Sequence, residues 1–168
     1  MILVLAERAR AFLDTKELYF TGGGNGLYYG IRSKTIDHRY LLALINSRLL
    51  DWLLKSISVP FRGGYYSWGK RYIERLPIVV PDLGSREGKK THDAIVTLVD
   101  RIIDLKRKRT DAGEGQRATV LTRQIDSVEQ EINSIVYDLY RISDDERRRI
   151  EGAGSGELPD WSRPTRAT

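Results

Sequence analysis

The stretch from Phe61 to Ile78, Phe-Arg-Gly-Gly-Tyr-Tyr-Ser-Trp-Gly-Lys-Arg-Tyr-Ile-Glu-Arg-Leu-Pro-Ile, carries the densest chemistry in the chain. Arg62, Lys70, Arg71 and Arg75 stand among Tyr65, Tyr66, Trp68 and Tyr72, and glycines let the backbone turn between them. Guanidinium groups pair bidentately with guanine edges. Lysines and glycine amides hold phosphates and set register. Interleaved cations and aromatics therefore suit a polyanion that carries flat bases. The candidate contacts are Arg62, Gly63, Gly64, Tyr65, Tyr66, Trp68, Lys70 and Arg71, with Asn25 of the Gly22–Gly26 loop as a second element. The same residues have a plainer reading. Tyr66, Trp68 and Tyr72 alternate, so they also fit the buried face of a strand, with Tyr65, Ser67 and Arg71 turned outward.

Other chemistry is hinted at and weakly supported. Phe20-Thr-Gly-Gly-Gly24 resembles a loop that holds S-adenosylmethionine, but strand-like Leu-Tyr-Tyr-Gly-Ile-Arg follows where a helix is needed. It reads as a turn. Asp82, Glu87 and Lys89 resemble a metal-dependent nuclease set, yet they fall in one short loop rather than on adjacent strands. His38 and His92 sit at predicted helix starts with no metal or nucleophile motif beside them, and read as solvent or cap histidines. No triad or metal cluster assembles, so the chain is expected to be non-catalytic by itself, with no cofactor of its own.

Composition narrows the partners. There are 28 Lys+Arg against 23 Asp+Glu, a net charge of +5. The excess is mild but clustered: residues 62–75 hold four basic residues against Glu74 alone. Residues 101–123 hold seven against Asp104, Asp111 and Glu114. Such clustering favours nucleic acid, although a basic run is also an ordinary solvated helix face. The chain lacks cysteine, which excludes disulfide scaffolds and thiolate sites and fits a cytoplasmic protein. No apolar run reaches the ~18 residues of a membrane helix, so no membrane partner is expected. Met-Ile-Leu-Val-Leu-Ala at the start reads as a strand rather than a signal peptide, and a chain that opens inside a strand reads as a fragment of a longer polypeptide.

These segments need positioning elements, and the pattern predicts an α+β fold. It comprises a small β-rich domain with a packed helix over 1–81, a long antiparallel helical hairpin over 82–151, and a disordered tail over 152–168. Ile2–Leu5, Glu17–Phe20 and Leu27–Arg32 read as strands. Asp37 caps one helix whose apolar face is Leu41, Leu42, Ile45, Leu49, Trp52, Leu53 and Ile57, and Pro60 stops it. The basic aromatic segment then reads as a loop with one or two strands. Ile95, Val99, Ile102 and either Leu105 or Lys106 stripe the first hairpin helix. Leu121, Ile125, Val128, Ile132, Ile135 and Leu139 form an a/d seam on the second. Thr110–Gly115 joins the two, and Ser143-Asp-Asp-Glu146 is a capping box for a last helix. Left open, the seam would make the chain a coiled-coil interaction module or a homodimer.

Three motifs in combination resemble a known family: Leu42-Ala-Leu-Ile-Asn-Ser-Arg-Leu-Leu50, Pro60-Phe-Arg-Gly-Gly-Tyr-Tyr66 and Tyr72-Ile-Glu-Arg-Leu-Pro-Ile78. They are similar to the TaqI-like C-terminal specificity domain, the target recognition module of adenine-specific DNA methyltransferases and type IIG restriction-modification enzymes. The helices after Pro81 resemble the spacer helices that follow such modules, and Val136-Tyr-Asp-Leu-Tyr-Arg-Ile-Ser-Asp-Asp-Glu146 is typical of the group. The resemblance covers residues 1–151. It implies a bacterial, non-catalytic module that binds double-stranded DNA. It also implies a separate methyltransferase domain or subunit, which holds S-adenosylmethionine and carries an Asn-Pro-Pro-Tyr/Phe motif that does not occur here. The stretch before the Leu-Ile-Asn-Ser helix is short for a complete recognition domain, so the module reads as N-terminally truncated or reduced.

Overall fold

A computed structural model describes residues 1–16 and 26–152. The predicted strand Glu17–Phe20, most of the glycine loop with Asn25, and the tail beyond Gly152 lie outside the described residues. The fold is mixed α and β. Among the described residues, four two-residue strands form two small antiparallel sheets: β1 (Ile2–Leu3) pairs with β3 (Tyr28–Tyr29), and β2 (Leu5–Ala6) pairs with β4 (Tyr66–Ser67). The α-helices of the described residues are α1 (His38–Asn46), α2 (Arg48–Ile57), α3 (Lys70–Ile73), α4 (Arg86–Asp111), α5 (Gln116–Leu139) and α6 (Asp144–Gly152).

The single helix expected after Asp37 is two helices. Asp37 does cap the first, accepting from the Arg39 amide at 2.7 Å. Ser47 then breaks it. Its backbone is extended (φ −67°, ψ 152°), and its hydroxyl donates to the Leu44 carbonyl at 2.6 Å while accepting from the Leu50 amide at 3.3 Å. One serine thus ends α1 and starts α2, the local bonding by which serine competes with a helix interior. Periodicity missed the break because apolar residues surround both helices. Leu44, Leu50 and Leu54 are fully buried, though the expected stripe omitted them.

Two clusters explain this all-round burial. The smaller joins Ile2, Ala6, Leu41, Ile45, Leu54, Trp68, Tyr72 and Leu76. The larger gathers Tyr40, Leu44, Leu49 and Leu50 with the inner faces of α4 and α5. Helices α1 and α2 therefore lie between the strands and the helical pair, with one side in each cluster. On α4 the stripe uses Ile95, Leu98, Val99 and Leu105; Lys106 is exposed and pairs with Glu129 at 2.9 Å. On α5 the seam runs Leu121, Ile125, Val128 and Ile132, then shifts to Val136 and Tyr137, leaving Ile135 and Leu139 half-buried. A straight helix drifts from a strict heptad, so the buried face rotates by one position over three heptads. The buried part of the seam faces this chain's own helices, within the larger cluster.

The C-terminal motif has a mechanical role. Arg141 adopts φ 56°, its amide donates to the Asp138 carbonyl at 3.0 Å, and the Ile142 amide reaches the Tyr137 carbonyl at 2.9 Å. This is a Schellman ending. The Ser143–Glu146 capping box forms as expected, with the Ser143 amide donating to Glu146 at 2.8 Å. The Tyr140 hydroxyl donates to the Pro77 carbonyl at 2.5 Å, and the Tyr40 hydroxyl donates to the Val79 carbonyl at 3.2 Å. Two tyrosines thus clamp the extended exit from the basic segment.

The clamp makes stability fall in alkali. Burial, with a smaller contribution from nearby Tyr140, pushes the Tyr40 hydroxyl up from 10.0 to about 12. Burial raises Tyr140 too. The folded state therefore holds these protons more tightly than the unfolded chain does. The stabilisation is complete below pH 10 and is lost as pH climbs from 10 through about 12. Urea midpoints measured across that window should drop, and Tyr40→Phe should flatten the drop; equal slopes in both proteins would refute the assignment.

Candidate nucleic-acid interface

The basic aromatic segment is a short finger followed by one helical turn. Val59–Phe61 runs antiparallel to Tyr65–Ser67: the Phe61 amide donates to the Tyr65 carbonyl at 2.7 Å, and Pro60 bridges Tyr66. Arg62-Gly63-Gly64 makes the tip as a 3₁₀ turn. Gly63 and Gly64 have φ of +80° and +77°, a left-handed conformation that side chains resist. Both glycines shape the tip and leave Arg62 projecting at its end, exposed to solvent.

The finger's two faces differ. Val59, Phe61 and Tyr65 are 47%, 50% and 40% exposed, an unusual density of free apolar and aromatic surface. Tyr66 is half-buried, and the Lys55 ammonium lies 5.6 Å from its ring centre. Trp68 is fully buried, and its indole N–H donates to the Ala6 carbonyl at 3.3 Å. Trp68 is therefore corrected from contact residue to core residue, and Tyr72 joins it in the smaller cluster. The alternation pattern had already allowed for that outcome.

The stretch expected as loop or strand after Ser67 coils into α3. Lys70 and Arg71 are exposed on this turn. Lys70 pairs loosely with Glu74 at 3.4 Å; both side chains are well exposed, so the pair is weak and leaves the ammonium available. Arg71 lies 4.6 Å from the Tyr72 ring centre, a contact that holds the guanidinium in place. Arg75 is exposed as well. Arg62, Lys70, Arg71 and Tyr65 thus share one solvent-facing segment, braced from beneath by Trp68 and Tyr72. Asn25 lies outside the described residues. Reading by charge missed Phe61 and Val59; the signal was Pro60, which stands between them at the base of an edge strand.

The brace extends into the helices. Asp51 is 9% exposed; its carboxylate accepts from the Ala9 amide at 2.8 Å and pairs with Lys55 at 2.8 Å. Asn46 clasps Ala11 twice, accepting from its amide at 2.9 Å and donating to its carbonyl at 3.0 Å. The Leu-Ile-Asn-Ser motif is thereby explained: two core residues, a backbone clasp and a double cap.

The rival chemistries find other uses for their residues. Asp82 accepts from the Gly84 amide at 3.1 Å in the turn before α4. Lys89 pairs with Asp93 at 2.6 Å. His92 is no solvent histidine; its ring stacks on Tyr40 at 5.5 Å. His38 accepts from the Ser33 amide at 3.3 Å. Among the described residues, no three His, Cys, Asp or Glu side chains are grouped to hold a metal ion, and no helix is long and apolar enough to cross a membrane.

No curated protein and no solved structure matches the chain. Over residues 1–78, from the first strand into the exit clamped by the tyrosines, the sequence matches the family model of the TaqI-like C-terminal specificity domain, the family its motifs resemble.

Proposed function

We propose that this chain is a sequence-specific DNA target-recognition module of a restriction-modification DNA methyltransferase, non-catalytic by itself. One observation carries the reading: within the region that matches a specificity domain, a glycine-tipped finger presents Arg62, with Tyr65 beside it and Lys70 and Arg71 on the next turn. Arg62 reads a base edge, and Lys70 and Arg71 neutralise phosphates and fix the register. In this reading methylation belongs to a separate domain or subunit of the parent enzyme, which supplies S-adenosylmethionine, and no residue here is assigned to hold that cofactor. The helical pair after Pro81 serves as the spacer that sets the finger's distance from that partner.

The test is binding of the wild-type chain and single alanine variants to a randomised duplex pool over a salt series. Arg62→Ala should relax sequence selection and cost about 1–3 kcal/mol at the preferred sequence. Lys70→Ala should weaken binding to all sequences evenly and lower the salt slope by about one. Unchanged affinity and an unchanged slope in both variants would remove the finger from the interface.

A further inference from the structure

A groove of about 810 Å³ opens between the segment 7–15, α1 and the middle of the α4–α5 pair. No residue of the finger lines it. Its floor is apolar, built by Leu42, Val99, Ile102, Ile103 and Ile132. Ile102 and Ile103 lie well inside a 26-residue helix that packs on both α1 and α5, yet both stay half-exposed because the groove runs over them. The rim is net basic: Arg8, Arg10, Lys106 and Arg107 stand against Glu7 and Glu129. Arg8, Arg10 and Arg107 are exposed, and none of them enters an ion pair among the described residues, whereas Lys106 pairs with Glu129.

The two halves of the groove ask for different chemistry. An aliphatic floor gains from aliphatic side chains, since burying apolar area drives association. Unpaired guanidinium groups gain from carboxylates, which they engage bidentately. Duplex DNA has the charge but no aliphatic face to lay on Ile102 and Ile103. A helix with apolar residues at i, i+3, i+4 and i+7 and acids on its flanks has both. We infer that this groove docks an acidic amphipathic helix of a partner protein, with the helix's apolar stripe on Ile102 and Ile103 and its carboxylates on Arg8, Arg10 and Arg107.

The probe is a labelled synthetic helix with leucines at that spacing and glutamates elsewhere, titrated into the whole chain and followed by fluorescence anisotropy. A lysine version of the same helix and a DNA duplex are the comparison arms. The acidic helix should bind, and its affinity should fall as salt rises. The variant Arg8→Glu/Arg10→Glu/Arg107→Glu should weaken it by about tenfold or more, a change of about 1.4 kcal/mol. Ile103→Ser, with its fold checked by circular dichroism, should weaken it at all salt concentrations. Equal binding of the lysine helix, or no acidic-helix binding in a folded protein, would overturn the inference. Loss of duplex binding in the charge-reversed variant, without any acidic-helix binding, would also overturn it and assign the rim to DNA. Finger variants that lose DNA but keep the acidic helix would show that the two surfaces act independently.

Discussion

Asp51→Ala should lower the free energy of unfolding by about 3 kcal/mol, the low end of the range for breaking a buried pair. The carboxylate serves two partners at once, the Ala9 amide and Lys55. Side-chain exposures of 13% and 14% place the pair well below the surface, where removing one charge strands the other. The substitution frees the N-terminal segment from α2 and leaves an ammonium facing Tyr66 with no counter-ion. Urea unfolding read through tryptophan fluorescence measures the loss. The double variant Asp51→Ala/Lys55→Met should recover part of it, because it removes the stranded charge; a single-variant loss under about 0.5 kcal/mol, the scale of ordinary surface changes, would show that the pair is idle.

Trp68→Ala should cost about 3–5 kcal/mol, as expected when a large buried aromatic is deleted. The ring is the largest fully buried side chain among the described residues, and its N–H donates to the Ala6 carbonyl in the strand that pairs with β4. Its loss opens a cavity under the finger and removes the indole bond to that carbonyl. Trp68→Phe distinguishes the core role from a stacking role. It keeps most of the packing, so duplex binding should survive with only a modest fall in the urea midpoint. Binding lost in a folded Trp68→Phe protein would return this residue to the interface.

Much of the architecture could be read from the residues. The Asp37 cap, the long α4–α5 pair, the Ser143 box and the α+β class all rest on local signals: a cap residue, a 3.6-residue period, a glycine-rich turn. The misses are tertiary. Two-sided burial hid Ser47, since an apolar residue fits nearly any position of α1 and α2. Strands of two residues lie below the length at which alternation carries a signal. The turn at Lys70 is held by local backbone bonds that side-chain alternation does not register: the Ile73 amide donates to the Gly69 carbonyl at 3.2 Å and the Glu74 amide to the Lys70 carbonyl at 3.0 Å. Among the candidate contacts, Arg62, Gly63, Gly64, Tyr65, Lys70 and Arg71 lie at the surface as read, and Tyr66 is partly covered. Trp68 shows the limit of composition, which cannot distinguish an aromatic that stacks on a ligand from one that holds the scaffold beneath it.

The two-sided packing of α1 and α2 bears on engineering. Residues 40–50 lend Tyr40, Ala43, Leu44, Leu49 and Leu50 to a core whose other buried residues come from α4, α5 and α6. A chimera joined at residue 81 would set a foreign inner surface against those five side chains. Exchanging the first part of the chain between proteins of this architecture therefore calls for a different seam. Transplanting the finger and α3 alone, from Val59 to Leu76, keeps the α1–α2 junction with its native helical partners and limits the repacking to Trp68, Tyr72 and Leu76.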